Sequence, residues 1–169
     1  VDKLKKIVGS DSVLSDGKEK SRFDHIWTTN IPTNAIAVVF PKDTDELSSI
    51  MKVCFENNQK VLVQGGLTNL VGSTKTFKDE IIISLDRMNK IEEIDEKSRT
   101  ITLQSGVIVE DAINAVNEKD LLLPLNFGAK GSAQIGGVVS TNAGGLRVLK
   151  YGMTRGLILG LEAVLSEFH

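Results

Sequence analysis

The sequence is poor in the two residue types that most often carry special chemistry. Among its 169 residues it has one cysteine, Cys54, and two histidines, His25 and His169. One cysteine cannot form an internal disulfide, and these three residues offer no spacing typical of a metal site. They also supply no Ser-His-Asp or Cys-His arrangement for nucleophilic catalysis. We therefore predict no catalytic residue and no metal site in this chain, and we expect a reducing, cytoplasmic setting.

Long blocks of one charge and long apolar runs are also missing. The 20 Lys and Arg residues nearly balance the 22 Asp and Glu residues, and the formal net charge is -2. Without a basic block the sequence predicts no nucleic-acid partner. The first residues contain no apolar run of the length that a signal peptide or a membrane span needs. We therefore expect neither secretion nor a membrane span.

Glycine, in contrast, is concentrated in two places. Nine of the 15 glycines fall between Gly128 and Gly160, and a second glycine-containing segment runs from Val61 to Ser73. Adjacent positions without Cβ raise the entropy cost of folding, so such clustering is expected where main chain approaches something flat or charged. The pattern predicts a cofactor groove to which both segments contribute.

Two familiar nucleotide motifs are absent from these segments. No two of their glycines have the G-x-G spacing of a dinucleotide fingerprint. A Walker loop requires G-x-x-x-x-G-K-[ST], whereas Gly131 and Gly136 are followed by Gly137 and Val138. The sequence thus indicates neither Rossmann nor P-loop chemistry.

The composition of both segments still suits a phosphate and a planar ring. Main-chain N–H groups freed by glycine turns can converge on a diphosphate without a lysine. The stretch from Gln64 to Asn69 has the composition for this, and the later segment offers short donors and bare main chain at Ser132, Gly136, Gly137, Ser140, Thr141, Asn142, Gly144 and Gly145. The alternative is that these glycines only permit close packing of strands and turns.

The hydrophobic pattern predicts helices mixed with strands. A short helix is expected at 2–8, and a longer one after Asp43, where Asp43 and Glu46 form a plausible capping box. A further helix has an apolar face made by Val109, Ala112, Ile113 and Val116. Strands are predicted at 35–40, 61–63, 80–85, 90–95, 99–105 and 157–165. This mixture indicates an α/β or α+β domain.

Two other residues and two pairs could also contact a ligand, but an ordinary structural role is the expectation for each. Cys54 falls on the apolar face of a predicted helix, as a packed thiol would. His25 is interpreted as a surface or packing histidine. For the pairs Asp86–Arg87 and Arg147–Lys150, the default is a solvated salt bridge.

Three segments taken together resemble a known family. They are VQGGLTNLVGS, SLDRMNKIEEID and PLNFGAKGSAQIGGVVSTNAGGLRVLKYG. They are similar to the PCMH-type FAD-binding domain of vanillyl-alcohol-oxidase-like enzymes, in the branch of D-lactate dehydrogenase, the glycolate oxidase D subunit and D-2-hydroxyglutarate dehydrogenase. The resemblance covers about residues 33–165. It implies an α+β fold of the PCMH type that lacks the end of the FAD domain and the substrate cap domain.

The resemblance also implies specific contacts with FAD. The loop formed by Gln64, Gly65, Gly66, Leu67, Thr68, Asn69 and Leu70 would hold the diphosphate. The flavin and its ribityl chain would be lined by Pro124, Gly128, Ser132, Gly136, Gly137, Thr141, Asn142 and Gly144. Some relatives bond the flavin to a histidine or cysteine of the first loop, and this loop has neither, so FAD is expected to bind noncovalently. Asn69 and Val138 depart from the family pattern, which has glycine and asparagine there.

These implications lead to expectations for the chain as a whole. Residues 1–32 would form an N-terminal helix and connector, and residues 33–169 an incomplete FAD-binding domain. The chain would be the FAD-binding portion of a flavin-dependent D-2-hydroxy-acid dehydrogenase or oxidase, not catalytic alone. The alternative is a non-enzymatic remnant, or an interaction or nucleotide-binding module. Expected partners are FAD and either a separate polypeptide with the missing C-terminal half or a second copy.

Overall fold

The computed structural model describes residues 1–23, 26, 27 and 30–165, so that the prediction for His25 lies outside the described residues. The chain divides into two compact units, which are described separately. Of the described residues, the first comprises Val1–Arg87 together with 162–165, and the second comprises Met88–Leu161. The boundary predicted after residue 32 separates a connector from the family domain and stays a prediction.

The first unit is built on a four-stranded sheet. Its elements are α1 (Asp2–Val8), β1 (Val13–Leu14), β2 (Ala37–Val39), α2 (Thr44–Glu56), β3 (Lys60–Gln64) and β4 (Glu80–Ser84), with 3-10 turns at Ser10–Ser12 and Lys18–Ser21. The strand order is β1-β2-β4-β3. Strands β2, β4 and β3 are parallel, and β1 is antiparallel to β2. The carboxyl ends of the three parallel strands therefore lie at the same edge of the sheet.

Local sequence signals explain why α2 forms where it does. Asp43 Oδ1 accepts a hydrogen bond from the main-chain N–H of Glu46 at 2.9 Å, as the predicted cap requires. The Glu46 carboxylate accepts from the N–H of Lys42 at 3.0 Å rather than from Asp43, so the capping box is shifted by one residue. Ile50 and Cys54 are buried on the inner face of the helix. All of β2 and the last four residues of β4 are buried as well, as continuous apolar runs in a parallel sheet predict.

The second unit combines a hairpin with short helices. Its elements are β5 (Ile91–Asp95), β6 (Thr100–Leu103), α3 (Val109–Asn117), α4 (Ile135–Ser140), α5 (Val148–Tyr151) and a 3-10 turn at Thr154–Leu157. Strands β5 and β6 pair antiparallel with an irregularity between Ile91 and Glu93. One buried core cluster of this unit consists of Val109, Leu125, Ala133 and Val138. The α+β class is confirmed.

The strand predicted at 157–165 is wrong. Residues 158–165 have no regular secondary structure, and Leu159, Leu161 and Leu165 are 85%, 73% and 69% exposed. An apolar run becomes a buried strand only where another strand offers hydrogen-bond partners, and nothing in the described part of the chain pairs with this one. The two-residue strand β1 was not predicted, because two residues are too few to show alternation.

Across the residues with described placement, none of the helices combines the length and the apolar character needed to cross a bilayer.

Candidate functional site

The first glycine loop, residues 64–74, begins where β3 ends in the first unit. Gln64 is the last residue of β3 and is paired with Ser84, the last residue of β4. The N–H of Leu85 donates to the Gln64 carbonyl at 3.2 Å, which extends the pairing by one step. In open sheets with parallel strands, ligands bind outside the carboxyl ends of the strands. The fold therefore places this loop where such a sheet offers a binding site.

The Gln64 side chain closes the loop from within. It is completely buried, and its Nε2 donates to the main-chain carbonyl of Thr74 at 3.1 Å. Its Oε1 accepts from Arg22 Nε at 3.4 Å. Because a buried amide must be paired on both atoms to avoid a desolvation penalty, these contacts fix the position of the side chain. Gln64 thus helps to shape the loop from within.

Asn69 braces the middle of the same loop. Its Oδ1 accepts from the N–H groups of Val71 and Ser73, both at 3.2 Å, and its Nδ2 donates to Thr74 Oγ1 at 3.0 Å. An asparagine side chain that bonds nearby main chain in this way stabilises a tight turn. The side chain that departs from the family's glycine therefore has a structural role here.

The main-chain N–H groups of the loop differ from these side chains in their hydrogen bonding. The N–H groups of residues 65–70 have no acceptor among the residues that the structure describes. Leu67 holds the left-handed conformation with φ of 56°, and its carbonyl accepts from Ile26 N at 3.1 Å. Successive unpaired N–H groups in a turn with left-handed residues bind anions. This donor set fits the diphosphate of FAD.

The second glycine region, residues 124–145, lies in the second unit. Several of its glycines are required by close contacts within that unit. A Cβ on Gly145 would lie 2.1 Å from the Asn126 carbonyl oxygen, and a Cβ on Gly136 would lie 2.8 Å from the Ser105 Cβ. A Cβ on Gly144 would meet Met153 Sδ at 2.8 Å. The packing alternative therefore accounts for these three glycines.

Other glycines of this region have no such contact. A Cβ on Gly128 or Gly137 would meet nothing within 4 Å, and neither residue has a positive φ. Both residues are exposed, as are Ser132 and Thr141, while Pro124 is half-buried. No described atom requires glycine at these two positions. The exposed main chain there therefore leaves room for a flat ligand. This observation fits a flavin ring lying against the region.

Two predicted site residues after α4 form hydrogen bonds within the chain. Thr141 Oγ1 donates to the Gly137 carbonyl at 2.9 Å, and Asn142 Oδ1 accepts from the N–H of Arg155 at 2.9 Å. Asn142 has a φ of 49°, a left-handed conformation typical of a residue that ends a helix. Val138, where the family has asparagine, belongs to the apolar core cluster, so it contributes packing.

The remaining predictions for single residues can be compared with their contacts. Cys54 is 2% exposed, and burial raises the pKa of its thiol, as expected for a packed cysteine. Asp86 forms an ion pair, but its partner is Arg22, 64 positions away in sequence. Sequence reasoning missed Arg22, since no local pattern marks it.

For the pair Arg147 and Lys150 the salt-bridge expectation is not met. Within the described ranges neither forms an ion pair, and Lys150 Nζ instead lies 5.2 Å from the centroid of the Tyr151 ring. Among the described residues, no three His, Cys, Asp or Glu side chains lie in an arrangement that could hold a metal ion.

Comparison with known proteins gives the context for this geometry. The family model described as "FAD binding domain" matches residues 35–167. A Schizosaccharomyces pombe protein whose name assigns it to the mitochondrial D-lactate dehydrogenases is 44% identical over 171 residues, covering 97% of this chain and 32% of the relative. The mitochondrial D-2-hydroxyglutarate dehydrogenase of Danio rerio is 44% identical over 143 residues, covering 85% of this chain and 27% of the relative.

A solved structure extends the comparison to the fold. Alkyldihydroxyacetonephosphate synthase matches with a TM-score of 0.85 at 19% identity, over 96% of this chain and 32% of the enzyme. The identity is low, so the match concerns the fold. The chain spans about a third of the length of the curated relatives it matches.

These relatives correct one expectation from the sequence. The cytoplasmic location is wrong, because both relatives carry mitochondrial names. A single cysteine excludes an internal disulfide, but it does not distinguish between compartments that keep thiols reduced.

Proposed function

This chain belongs to the FAD binding domain family, as its resemblance to PCMH-type domains predicted, and we propose that it holds FAD noncovalently through its two glycine regions. The observation that carries the proposal is the run of N–H groups at residues 65–70, at the carboxyl end of β3, which have no acceptor among the described residues. Such a run can bind a diphosphate without desolvating a lysine. The absence of histidine and cysteine from residues 64–74 supports noncovalent binding.

The two regions have different roles in this proposal. Residues 64–70 of the first glycine loop contact the diphosphate through their main chain, while the Gln64 and Asn69 side chains keep that main chain in shape. The flavin and ribityl chain contact the second region at the exposed positions Gly128, Ser132, Gly137 and Thr141. Pro124, Gly136, Asn142 and Gly144 contribute by holding the main chain there.

For the whole protein we propose oxidation of a D-2-hydroxy acid. The names of the two relatives, a D-lactate and a D-2-hydroxyglutarate dehydrogenase, support this substrate class. Bound FAD supplies the acceptor for the hydride that leaves the hydroxyl-bearing carbon. This chain orients the cofactor and shields one side of it from water. The base that takes the hydroxyl proton lies outside residues 1–169 in this proposal, so that the chain alone does not turn over substrate.

A titration tests FAD binding directly. We expect the purified chain to quench the fluorescence of added FAD and to shift its visible absorption band. Riboflavin lacks the diphosphate and should bind at least tenfold more weakly, a difference of about 1.4 kcal/mol. A colourless protein that leaves both signals of FAD unchanged would overturn the proposal and favour a non-enzymatic module. Equal affinity for riboflavin and FAD would refute the role of the first loop.

The exposed segment 158–165 supports a proposal about partners. Leu159 and Leu161 alternate with exposed small and polar residues, and residues 159–165 make no main-chain hydrogen bond to the described part of the molecule. An extended segment with free main-chain groups and apolar side chains is suited to pair with another strand. We propose that the partner of this segment is a polypeptide that corresponds to the other two thirds of the relatives.

Complementation can test this assignment. The chain would be coexpressed with the part of the Schizosaccharomyces pombe relative that lies outside the matched 171 residues. We expect a one-to-one complex by light scattering, and its loss in the variant Leu159→Asp with Leu161→Asp. Oxidation of a D-2-hydroxy acid by the complex would support the catalytic proposal. A homodimer of the chain alone that the two substitutions disrupt would assign the segment to self-association instead.

A further inference from the structure

Arg22 lies in the N-terminal connector, before the residues that the family model matches, yet it reaches the first glycine loop. Its side chain is only 16% exposed. Nη1 donates to Asp86 Oδ2 at 2.7 Å and Nε donates to Gln64 Oε1 at 3.4 Å. The guanidinium carbon lies 5.6 Å from the centroid of the Phe40 ring. Arg22 therefore contacts residues at the carboxyl ends of β2, β3 and β4 at once.

The main chain at Arg22 is held as firmly as its side chain. The N–H of Thr33 donates to the Arg22 carbonyl at 2.7 Å, and Phe23 forms an isolated antiparallel bridge with Pro32. Residues 22 and 23 are thus tied to residues 32 and 33. Because the main chain at Arg22 is anchored, its side chain extends toward the sheet from a fixed point.

The contacts of Arg22 continue into the loop through Gln64. The Gln64 amide accepts from Arg22 on one side and donates to the Thr74 carbonyl on the other. Thr74 in turn accepts from Asn69, whose oxygen binds the N–H groups of Val71 and Ser73. A continuous line of hydrogen bonds therefore runs from Asp86 through Arg22 to both ends and the middle of the loop. Such networks transmit the orientation of one side chain to the next.

We propose that Arg22 is a positioning residue for the FAD diphosphate loop. It holds the amide of Gln64 in the orientation that closes residues 64–74 and directs the N–H groups of residues 65–70 toward the cofactor. This inference rests on the proposed function, since it assigns to Arg22 the geometry of that site. The planar fork of arginine is required because one group must serve Asp86 and Gln64 in different directions.

Arg22→Gln and Arg22→Lys are the informative variants. Glutamine removes the charge and the fork, whereas lysine keeps the charge beside Asp86 but cannot serve both partners. We expect both variants to raise the dissociation constant for FAD about tenfold, which corresponds to one lost charge-assisted hydrogen bond. Amide hydrogen exchange should accelerate in residues 65–74 and stay unchanged in β4, at 80–84. A merely structural role would change exchange in both segments together.

Arg87→Gln is a matched control. Arg87 is the same residue type in the same unit, and it contacts Ser12 Oγ and the Phe40 carbonyl; no hydrogen bond joins it to the loop in the part of the chain that the structure describes. We expect wild-type affinity for FAD and wild-type exchange in residues 65–74 for this variant. Asp86→Asn provides a second probe if Arg22→Gln does not fold, because it weakens the hold on Arg22 while the guanidinium remains. It should shift both readouts in the same direction by a smaller factor.

The outcomes separate this inference from the proposed function. Failure of the wild-type chain to bind FAD would refute the proposed function, and hydrogen exchange in the Arg22 variants would still decide whether Arg22 orders the loop. Wild-type binding of FAD with unchanged affinity in Arg22→Gln would overturn the inference alone. Full affinity in Arg22→Lys would show that positive charge near Asp86 is sufficient, and it would also overturn the positioning role.

Discussion

The first glycine loop in the first unit and the second glycine region in the second unit differ in what holds their main chain in place. In the first loop, the side chains of Gln64, Asn69 and Thr74 hydrogen-bond across the turn. In the second region, Gly136 and Gly145 allow another part of the chain to approach closely. The two glycine-containing segments are therefore held in place in different ways, and only some of their glycines are available to contact a cofactor.

Glycines in such segments fall into two physical classes. A glycine whose absent Cβ would overlap neighbouring main chain is explained without a ligand. A glycine with open space and ordinary φ, such as Gly128 or Gly137, has no such explanation within the chain. The open positions are the better indicators of a binding surface, and substitutions at both kinds of position can test the distinction.

The largest effect is expected for Gly145→Ala. Its Cβ would lie 2.1 Å from the Asn126 carbonyl oxygen and 2.7 Å from the carbonyl carbon, so main chain must move. We expect a loss of about 3 kcal/mol in the free energy of unfolding, at the upper end for overpacking. Urea unfolding followed by circular dichroism measures it. A loss below about 1 kcal/mol would show that the contact relaxes easily and that packing does not explain this glycine.

Asn69→Ala tests the side-chain origin of the first loop. It removes three hydrogen bonds within the loop, and we expect the dissociation constant for FAD to rise about tenfold, or about 1.4 kcal/mol, because the N–H groups lose their alignment. Isothermal titration calorimetry with FAD provides the measurement. Asn114→Ala, at an exposed position on α3, is the control and should bind FAD as the wild type does. Unchanged affinity in Asn69→Ala would mean that the main chain alone determines the loop.

Gly144→Ala should have an intermediate effect on the second region. The new Cβ would meet Met153 Sδ at 2.8 Å and Cε at 2.9 Å, which are the flexible end of a side chain. Because methionine can adapt its rotamer, we expect a loss of about 1 kcal/mol in the free energy of unfolding. Combining it with Met153→Ala should recover part of the stability lost by the two single variants. Strict additivity of the two substitutions would argue against the contact.

The smallest effect, and one of opposite sign, is expected for Gly137→Ala. The residue lies in α4 with open space at the Cβ position, and alanine in a helix is favoured over glycine by about 0.5–1 kcal/mol. Unfolding of the FAD-free chain should therefore require slightly more urea. Affinity for FAD should fall if the cofactor lies against this main chain. Higher stability with undiminished affinity would remove Gly137 from the proposed site.

Much of the fold could be predicted from short-range signals. The Asp43 cap, the apolar face of α2 and the end of that helix at Asn57 are encoded within a few residues, and the structure agrees with them. The alternation of Ile101 and Leu103 likewise indicated β6. Each of these signals depends on neighbours along the chain, which a pattern can represent.

The features that were missed depend on distant partners. Arg22 and Gln64 are 42 residues apart, and no local pattern relates them. The steric need for glycine at position 145 arises from Asn126, and it looks the same in the sequence as the open position at Gly137. The strand predicted at 157–165 was wrong for the same reason, because strand pairing depends on which other segments lie beside the apolar run.

The burial of Gln64 also bears on the kinetics of cofactor uptake. The Gln64 amide closes the first glycine loop before FAD binds. The loop has therefore already lost its conformational freedom during folding, and little ordering remains for the binding step. Association of FAD should then proceed in a single kinetic phase whose rate rises linearly with concentration. Stopped-flow mixing of FAD with the chain would reveal a slower, concentration-independent step if the turn had to close afterwards.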